Sequence, residues 1–141
     1  MRAALRTGGL VLFLGLAAFL AWFGFVYATV DKMLWFHAAA EPEAVRPAIA
    51  PLYFALMRLI GAASLGLAVL GVVFTLGPVR RGSRTAALWL AVSYAVPLAG
   101  AAWVAERLAA ETGAPVSWHI MGVLLAVDAL ALLASVVAKP E

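Results

Sequence analysis

Residues 8–30 read GGLVLFLGLAAFLAWFGFVYATV, an apolar run that contains no charged side chain. A helix needs about 20 consecutive apolar residues to cross the hydrocarbon core of a bilayer. The run meets that requirement, and it is longer than the apolar region of a secretory signal peptide. It therefore predicts a first transmembrane helix that the protein retains.

Three further apolar segments follow, at about residues 51–77, 86–105 and 118–138. The composition agrees with them, because 66% of the residues are hydrophobic and 12% are charged, with a mean hydropathy of +1.04. Soluble domains hold about 45–50% apolar and about 25% charged residues. We therefore expect an all-α protein, an integral membrane four-helix bundle that forms one transmembrane domain over residues 1–141. In the second segment, Ala62 and Gly66 are predicted to let a neighbouring helix approach closely.

Residues 31–50 are too polar to span a membrane and too apolar for a free loop. Pro42 suits the first turn of a short helix, Glu43 would lie near the positive end of its dipole, and Pro47 would end it. This pattern predicts a short interfacial helix between helices 1 and 2, on the outer side, that packs back onto the bundle.

The basic residues set the predicted orientation, because short cytoplasmic loops carry an excess of Lys and Arg. With the N-terminus inside, the cytoplasmic side would hold Arg2, Arg6, Arg80, Arg81, Arg84 and Lys139, and the outer side Lys32, Arg46 and Arg107. Both termini are therefore predicted to be cytoplasmic. Since these residues flank apolar segments, the net charge of +3 indicates no nucleic-acid partner.

Asp128 lies near the middle of the fourth segment, where an ionisable side chain is costly and is a candidate for function. It could relay protons or anchor the head group of a ligand. Alternatively, it could hold the bundle together through a hydrogen bond to Ser93, Tyr94 or Arg58. Arg58 could instead extend to the outer interface, or pair with Glu106.

A second set of candidates, for ligand binding, lies towards the predicted outer side: His37, Glu43, Arg58, Trp103, Glu106 and His119. Two histidines could ligate haem or a metal ion. No metal site is predicted, however, because no carboxylate or thiol stands at a fixed spacing from them. The chain has no cysteine, which excludes disulfides and covalently attached c-type haem.

No cofactor is predicted from these residues, and haem and quinone stay open as alternatives. His119 and Asp128 are nine residues apart, which places them on opposite faces of an ideal helix. One narrow pocket would therefore not contain both. No catalytic residue is assigned.

The stretch YFALMRLIGAASLGLA at residues 53–68 combines an arginine with a series of small residues on one helix. A basic turn follows at residues 79–84, and the last helix opens with Trp118 and His119, followed by Gly122. With these features, residues 53–137 resemble the DoxX-like group of small four-helix bacterial membrane proteins. The resemblance implies the same fold, and quinone-linked oxidation or redox maintenance in some relatives. No catalytic set of that group maps onto this chain.

Three functions follow as hypotheses. The first is a non-enzymatic bundle in the bacterial cytoplasmic (inner) membrane. It would be an accessory subunit of a larger membrane complex, a homo-oligomer, or a binder of a lipid- or quinone-type ligand, with membrane lipids as partners. The second is a small membrane enzyme, an isomerase or oxidoreductase, that acts on an apolar substrate at an outer-side site. The third is a proton-coupled transporter that uses Asp128.

Overall fold

The computed structural model describes residues 2–137, and every regular element in that range is a helix. This confirms the all-α prediction. In chain order the elements are α1 (Arg2–Ala28), α2 (Trp35–Ala40), α3 (Arg46–Phe74), α4 (Arg84–Thr112) and α5 (His119–Val137), with a π-helical turn (Thr75–Val79) that continues α3.

Within the described residues, four helices are long and apolar enough to cross a membrane. These candidate spans are Ala3–Ala28, Arg46–Val79, Arg84–Thr112 and His119–Val137. The shortest has 19 residues. It is about 29 Å long, close to the hydrocarbon thickness of about 30 Å. Each apolar segment of the sequence therefore forms a helix of sufficient length.

The short helix and the start of α3 lie at different residues from those predicted. Pro47, expected to end a short helix, lies instead in the first turn of α3. A proline is tolerated there because its missing N–H has no partner in the first helical turn. The prediction of a short helix that begins at Pro42 is therefore wrong in position, because the short helix α2 ends before Pro42.

The other boundaries also shift. α1 begins before residue 8, and α4 continues beyond residue 105 to Thr112. Gly113 ends α4 in the left-handed region, at a φ of 69°, and its N–H donates to the Ala109 carbonyl. Glycine adopts this conformation without steric cost. The predicted end of the fourth segment at 138, and Lys139, lie outside the described residues.

α1 lies at the centre of the packing, since it contacts both α3 and α5, and α5 also packs against α4. α3 and α4 follow each other in the sequence, yet they contact each other only sparsely. The buried core consists of Phe13, Leu16, Ala17, Leu20, Ala68, Val79, Ala87, Leu90, Ala91, Tyr94 and Ala131. The bundle is therefore well packed around α1 and open between α3 and α4.

α1 and α3 approach closely where Gly24 faces Gly61. A Cβ atom on Gly24 would lie 2.8 Å from the Gly61 carbonyl oxygen, and one on Gly61 would overlap the backbone of Ala28. The prediction that Ala62 and Gly66 make such a contact is wrong, because both are exposed and Gly66 faces open space. Neighbouring residues lie about 100° apart around a helix. The spacing of small residues therefore did not show which side would be packed.

Candidate functional site

An apolar groove lies between α3 and α4, where the two helices diverge. Its volume is about 640 Å³. Two consecutive helices joined by a short turn run antiparallel, so Leu70 and Trp89 lie towards the end nearer that turn. The lining residues are Ala63, Gly66, Leu67 and Leu70 from α3, and Trp89, Val92, Ser93, Val96 and Pro97 from α4.

The walls of this groove offer hydrocarbon surface with little polar character. The Ser93 hydroxyl donates to the Trp89 carbonyl of its own helix, at 2.8 Å. Pro97 has no N–H, so the Ser93 carbonyl lacks its usual helical donor. The groove can therefore hold an apolar chain.

Asp128 is the most buried carboxylate of the described chain, with 3% of its surface exposed. Tyr94 of α4 and Thr75 of the π-helical turn are fully buried, and Tyr94 lies within electrostatic range of Asp128. Among the described residues, Asp128 Oδ1, Tyr94 Oη and Thr75 Oγ1 have no hydrogen-bond partner. Asp128 is thus not hydrogen-bonded to Ser93, Tyr94 or Arg58, the partners considered from the sequence.

Tyr94 also fixes the position of the helices around it. Its ring packs against Phe13 of α1, with the ring centroids 6.4 Å apart. Its hydroxyl lies against Gly71 of α3, where a Cβ atom would overlap the oxygen. The phenol of α4 therefore contacts α1 and α3 together, behind the groove.

His37 belongs to a small hydrogen-bonded group at the other end of the bundle. Its Nδ1 lies 2.9 Å from the Tyr53 hydroxyl, which also accepts the Leu34 N–H at 3.1 Å. Burial lowers the pKa of His37 below its usual value near 6.5. The neutral imidazole is therefore favoured, with Nδ1 accepting the Tyr53 proton. These bonds hold α2 against α3.

Arg46 provides a second attachment for α2. Its Nη2 donates to the carbonyls of Ala38, at 2.7 Å, and Glu41, at 3.2 Å. The guanidinium thus satisfies carbonyls at the carboxyl end of α2, where a positive charge is also favourable. Residues 31–45 are held back against the start of α3 by this pair of attachments.

The remaining outer-side candidates do not converge with His37. Four of them are exposed: Glu43, Arg58, Trp103 and Glu106. His119 is exposed as well and stacks on Trp118, with ring centroids 4.7 Å apart. Within residues 2–137, no hydrogen bond joins His37 to His119, and Arg58 forms an ion pair with neither Asp128 nor Glu106.

Metal-ligating side chains are likewise dispersed. In the described part of the chain, no three His, Asp or Glu side chains lie close enough to hold a metal ion. The His37 and Tyr53 pair supplies one imidazole and one phenol, which can bind a carbonyl-bearing ligand only if their mutual hydrogen bond opens.

The groove was not identified from the sequence. Its lining carries no charge, so no residue type marks it as a site. Gly66, which the sequence analysis assigned to close helix packing, lines the groove instead. A glycine on an apolar helix indicates an open face only once the neighbours of that helix are known.

Comparisons with protein-family models, with curated proteins and with solved structures find no match to this chain. The resemblance to the DoxX-like group stays a prediction.

Proposed function

We propose that this chain is a multi-pass protein of the bacterial cytoplasmic membrane that binds a lipid- or quinone-type apolar ligand between α3 and α4. The observation that carries the proposal is the apolar groove of about 640 Å³ between two long apolar helices. Ligand sites typically have about 300–1,000 Å³ and mostly apolar walls, and because this groove is open along its length, an occupant would also contact the surrounding lipid. Helix association in a bilayer depends on close van der Waals packing. A pair of consecutive helices that leaves such a gap is therefore suited to an added apolar occupant.

The shape of the groove favours a chain-like ligand. Its α4 wall extends from Trp89 to Pro97, a rise of about 12 Å at 1.5 Å per residue. The walls are mostly apolar along this length, and Ser93 lies near the middle. An acyl or isoprenoid chain matches this surface better than a polar head group does.

The distribution of charge supports an orientation with both termini cytoplasmic. The Arg6 guanidinium donates to the Arg80 carbonyl, so the start of α1 and the turn before α4 lie at the same end of the bundle. Arg81 and Arg84 belong to the same turn. This end carries the larger share of the arginines, which favours the cytoplasmic side.

The proposal is tested by filling the groove. Gly66→Leu adds a side chain where a Cβ meets no atom within 4 Å, so it occupies the groove without displacing the core. Gly15→Leu is the matched control, because Gly15 is also exposed and also faces open space, on α1. After extraction in a mild detergent, native mass spectrometry should detect retained lipid or quinone on the wild type and on Gly15→Leu, with severalfold less on Gly66→Leu.

Equal retention by all three proteins would show that the groove is not the binding site. Stoichiometric co-purification of a second protein, lost only in Gly66→Leu, would instead favour the accessory-subunit function for the same surface. Both outcomes would overturn ligand binding at this groove.

Proton-coupled transport is the second candidate, and Asp128 favours it. A carboxyl group in the middle of α5, buried within electrostatic range of the unpartnered Tyr94 hydroxyl, is costly unless it serves function or packing. Proton flux into vesicles that contain the purified protein should fall to the protein-free rate in Asp128→Asn. A flux equal to that of the wild type would exclude a transport role for Asp128.

A further inference from the structure

We infer that the arginine turn before α4 and the grooves on both sides of α4 form a binding site for one anionic phospholipid. Its phosphate would lie at the arginines, and its two acyl chains would follow α4 towards the middle of the membrane. This inference rests on the proposed function, because one of the two chains would occupy the α3–α4 groove.

Four arginines gather at this end of the bundle: Arg6, Arg80, Arg81 and Arg84. The hydrogen bond from Arg6 to the Arg80 carbonyl joins the start of α1 to the turn. Arg80, Arg81 and Arg84 are exposed. Across residues 2–137, no carboxylate lies within ion-pair distance of these guanidinium groups, whereas Arg107 at the opposite end pairs with Glu111 at 3.2 Å. The cluster therefore has positive charge available for an anion.

A second groove, between α4 and α5, connects this charge to apolar surface. Its volume is about 400 Å³, and Arg84 and Thr85 line it together with Leu88, Leu132, Leu133 and Val136. A guanidinium at one end and leucine side chains beyond it reproduce the order of groups in a phospholipid, in which a charged head precedes a hydrocarbon chain. The groove thus offers complementary surface to both parts of one molecule.

The α3–α4 groove lies on the other side of α4 and reaches towards the same turn. Trp89 is its lining residue nearest the turn, five residues after Arg84, which is a rise of about 7.5 Å. Its side chain is 61% exposed. Tryptophan favours the head-group level of a membrane. The two grooves are therefore placed to receive the two chains of a lipid whose head lies at the turn.

The arginines and the two apolar grooves together favour a phospholipid over a free anion. A phosphate ion would use the arginines and leave both grooves without a role, whereas a zwitterionic lipid would use the grooves and gain less from the arginines. Basic pockets between helices on the cytoplasmic side are known binding sites for anionic head groups. A phosphodiester can also accept bidentate hydrogen bonds from arginine.

The experiment uses the purified full chain and two probes with identical acyl chains, phosphatidylglycerol and phosphatidylcholine, titrated under native mass spectrometry. We expect the wild type to prefer phosphatidylglycerol by about tenfold. The variant Arg80→Gln/Arg81→Gln/Arg84→Gln should bind both lipids equally. Arg84→Gln alone should lose part of the preference, and Arg107→Gln, which removes the same charge at the opposite end, should keep it.

Equal binding of the two lipids by the wild type would overturn the inference, and so would a preference that survives in the triple variant. Soluble glycerophosphoglycerol, added as a competitor, should leave the bound phosphatidylglycerol in place; displacement would assign the site to the phosphate alone and also overturn it. Added salt should reduce the preference of the wild type, which provides a test that needs no variant. The two proposals fail separately, because only Gly66→Leu, and not the arginine variants, tests whether any apolar chain occupies the α3–α4 groove.

Discussion

Gly71 is the residue that allows the Tyr94 hydroxyl to reach α3. A Cβ atom at this position would overlap the hydroxyl oxygen, and it would lie 2.7 Å from the ring carbon Cζ. Tyr94 is fully buried and therefore cannot swing into solvent. The absence of a side chain at Gly71 therefore allows the Tyr94 hydroxyl to lie directly against the backbone of α3.

Gly71→Ala is therefore expected to destabilise the protein by about 1–3 kcal/mol, the usual cost of overpacking a core. Tyr94→Phe removes the clashing oxygen but keeps Cζ, so the double variant should regain part of this loss. Unfolding in detergent of the wild type, the two single variants and the double variant forms a double-mutant cycle, which measures the coupling between Gly71 and Tyr94. Gly66→Ala is the control, because its added methyl group meets open space.

A loss in Gly71→Ala no larger than that in Gly66→Ala would contradict the packing described for Tyr94. The sequence alone could not predict this contact. Gly71 is one of several glycines in α3, and only the position of Tyr94 distinguishes it from the exposed Gly66.

α2 depends on two side chains of α3 more than on its own six residues. It has no buried residue of its own. The Tyr53 hydroxyl bonds His37 and the Leu34 N–H, and Arg46 bonds carbonyls at the other end. A helix this short is not stable in isolation. Its order therefore reports directly on these hydrogen bonds.

The attachment of α2 is expected to weaken in acid. The folded protein holds the pKa of His37 below its usual value, so the unfolded chain binds the proton at a higher pH than the folded chain does. Stability is therefore independent of His37 above its usual pKa near 6.5, and it falls as the pH drops from there through the lowered value. Protonation also makes Nδ1 a donor, which reverses its bond with Tyr53.

Hydrogen exchange of residues 31–45 at about pH 7.5 and about pH 5 measures this effect. The wild type should lose protection in the acidic sample. His37→Gln cannot take up a proton and serves as the control, so its protection should change less between the two conditions. An equal change in both proteins would assign the acid response to other groups.

At the level of helices, the sequence predicted the number and type of the long elements but not their ends. Apolar runs of about 20 residues leave few alternatives to a helix in a bilayer. The ends depend instead on whether the residues near each boundary continue or terminate the helix. Pro47 fits the start of a helix as well as the end of one. Gly113 ends α4 only because this helix continues past Arg107.

The sequence also could not predict the contact between His37 and Tyr53. The two residues are separated by 16 positions. Their meeting requires the chain to reverse between α2 and α3, and no periodicity in residues 31–50 indicates where that reversal occurs.

For the whole molecule, the absence of cysteine permits a direct test of orientation. Thr7→Cys lies at the arginine-rich end, and Ala44→Cys and Ala110→Cys lie at the other, all at exposed positions. With both termini cytoplasmic, a membrane-impermeant maleimide should label positions 44 and 110 in intact bacterial cells and position 7 only after the membrane is opened. Labelling of position 7 in intact cells would reverse the proposed orientation.

The sequence could not predict the groove between α3 and α4. Apolar residues face either a neighbouring helix or the lipid, and composition does not separate these two environments in a membrane. The small residues of α3 predicted a close contact. The structure places that contact at Gly61, towards α1, and leaves Gly66 facing the groove.

The sparse contact between α3 and α4 has a consequence for biosynthesis. α3 finds α1 already in place when it emerges from the ribosome, whereas the main partner of α4 is α5, which follows α4 in the sequence. The chain would therefore enter the membrane as an early pair followed by a helix without a partner. Synthesis of α5, and not insertion of α4, would be the step at which the bundle closes.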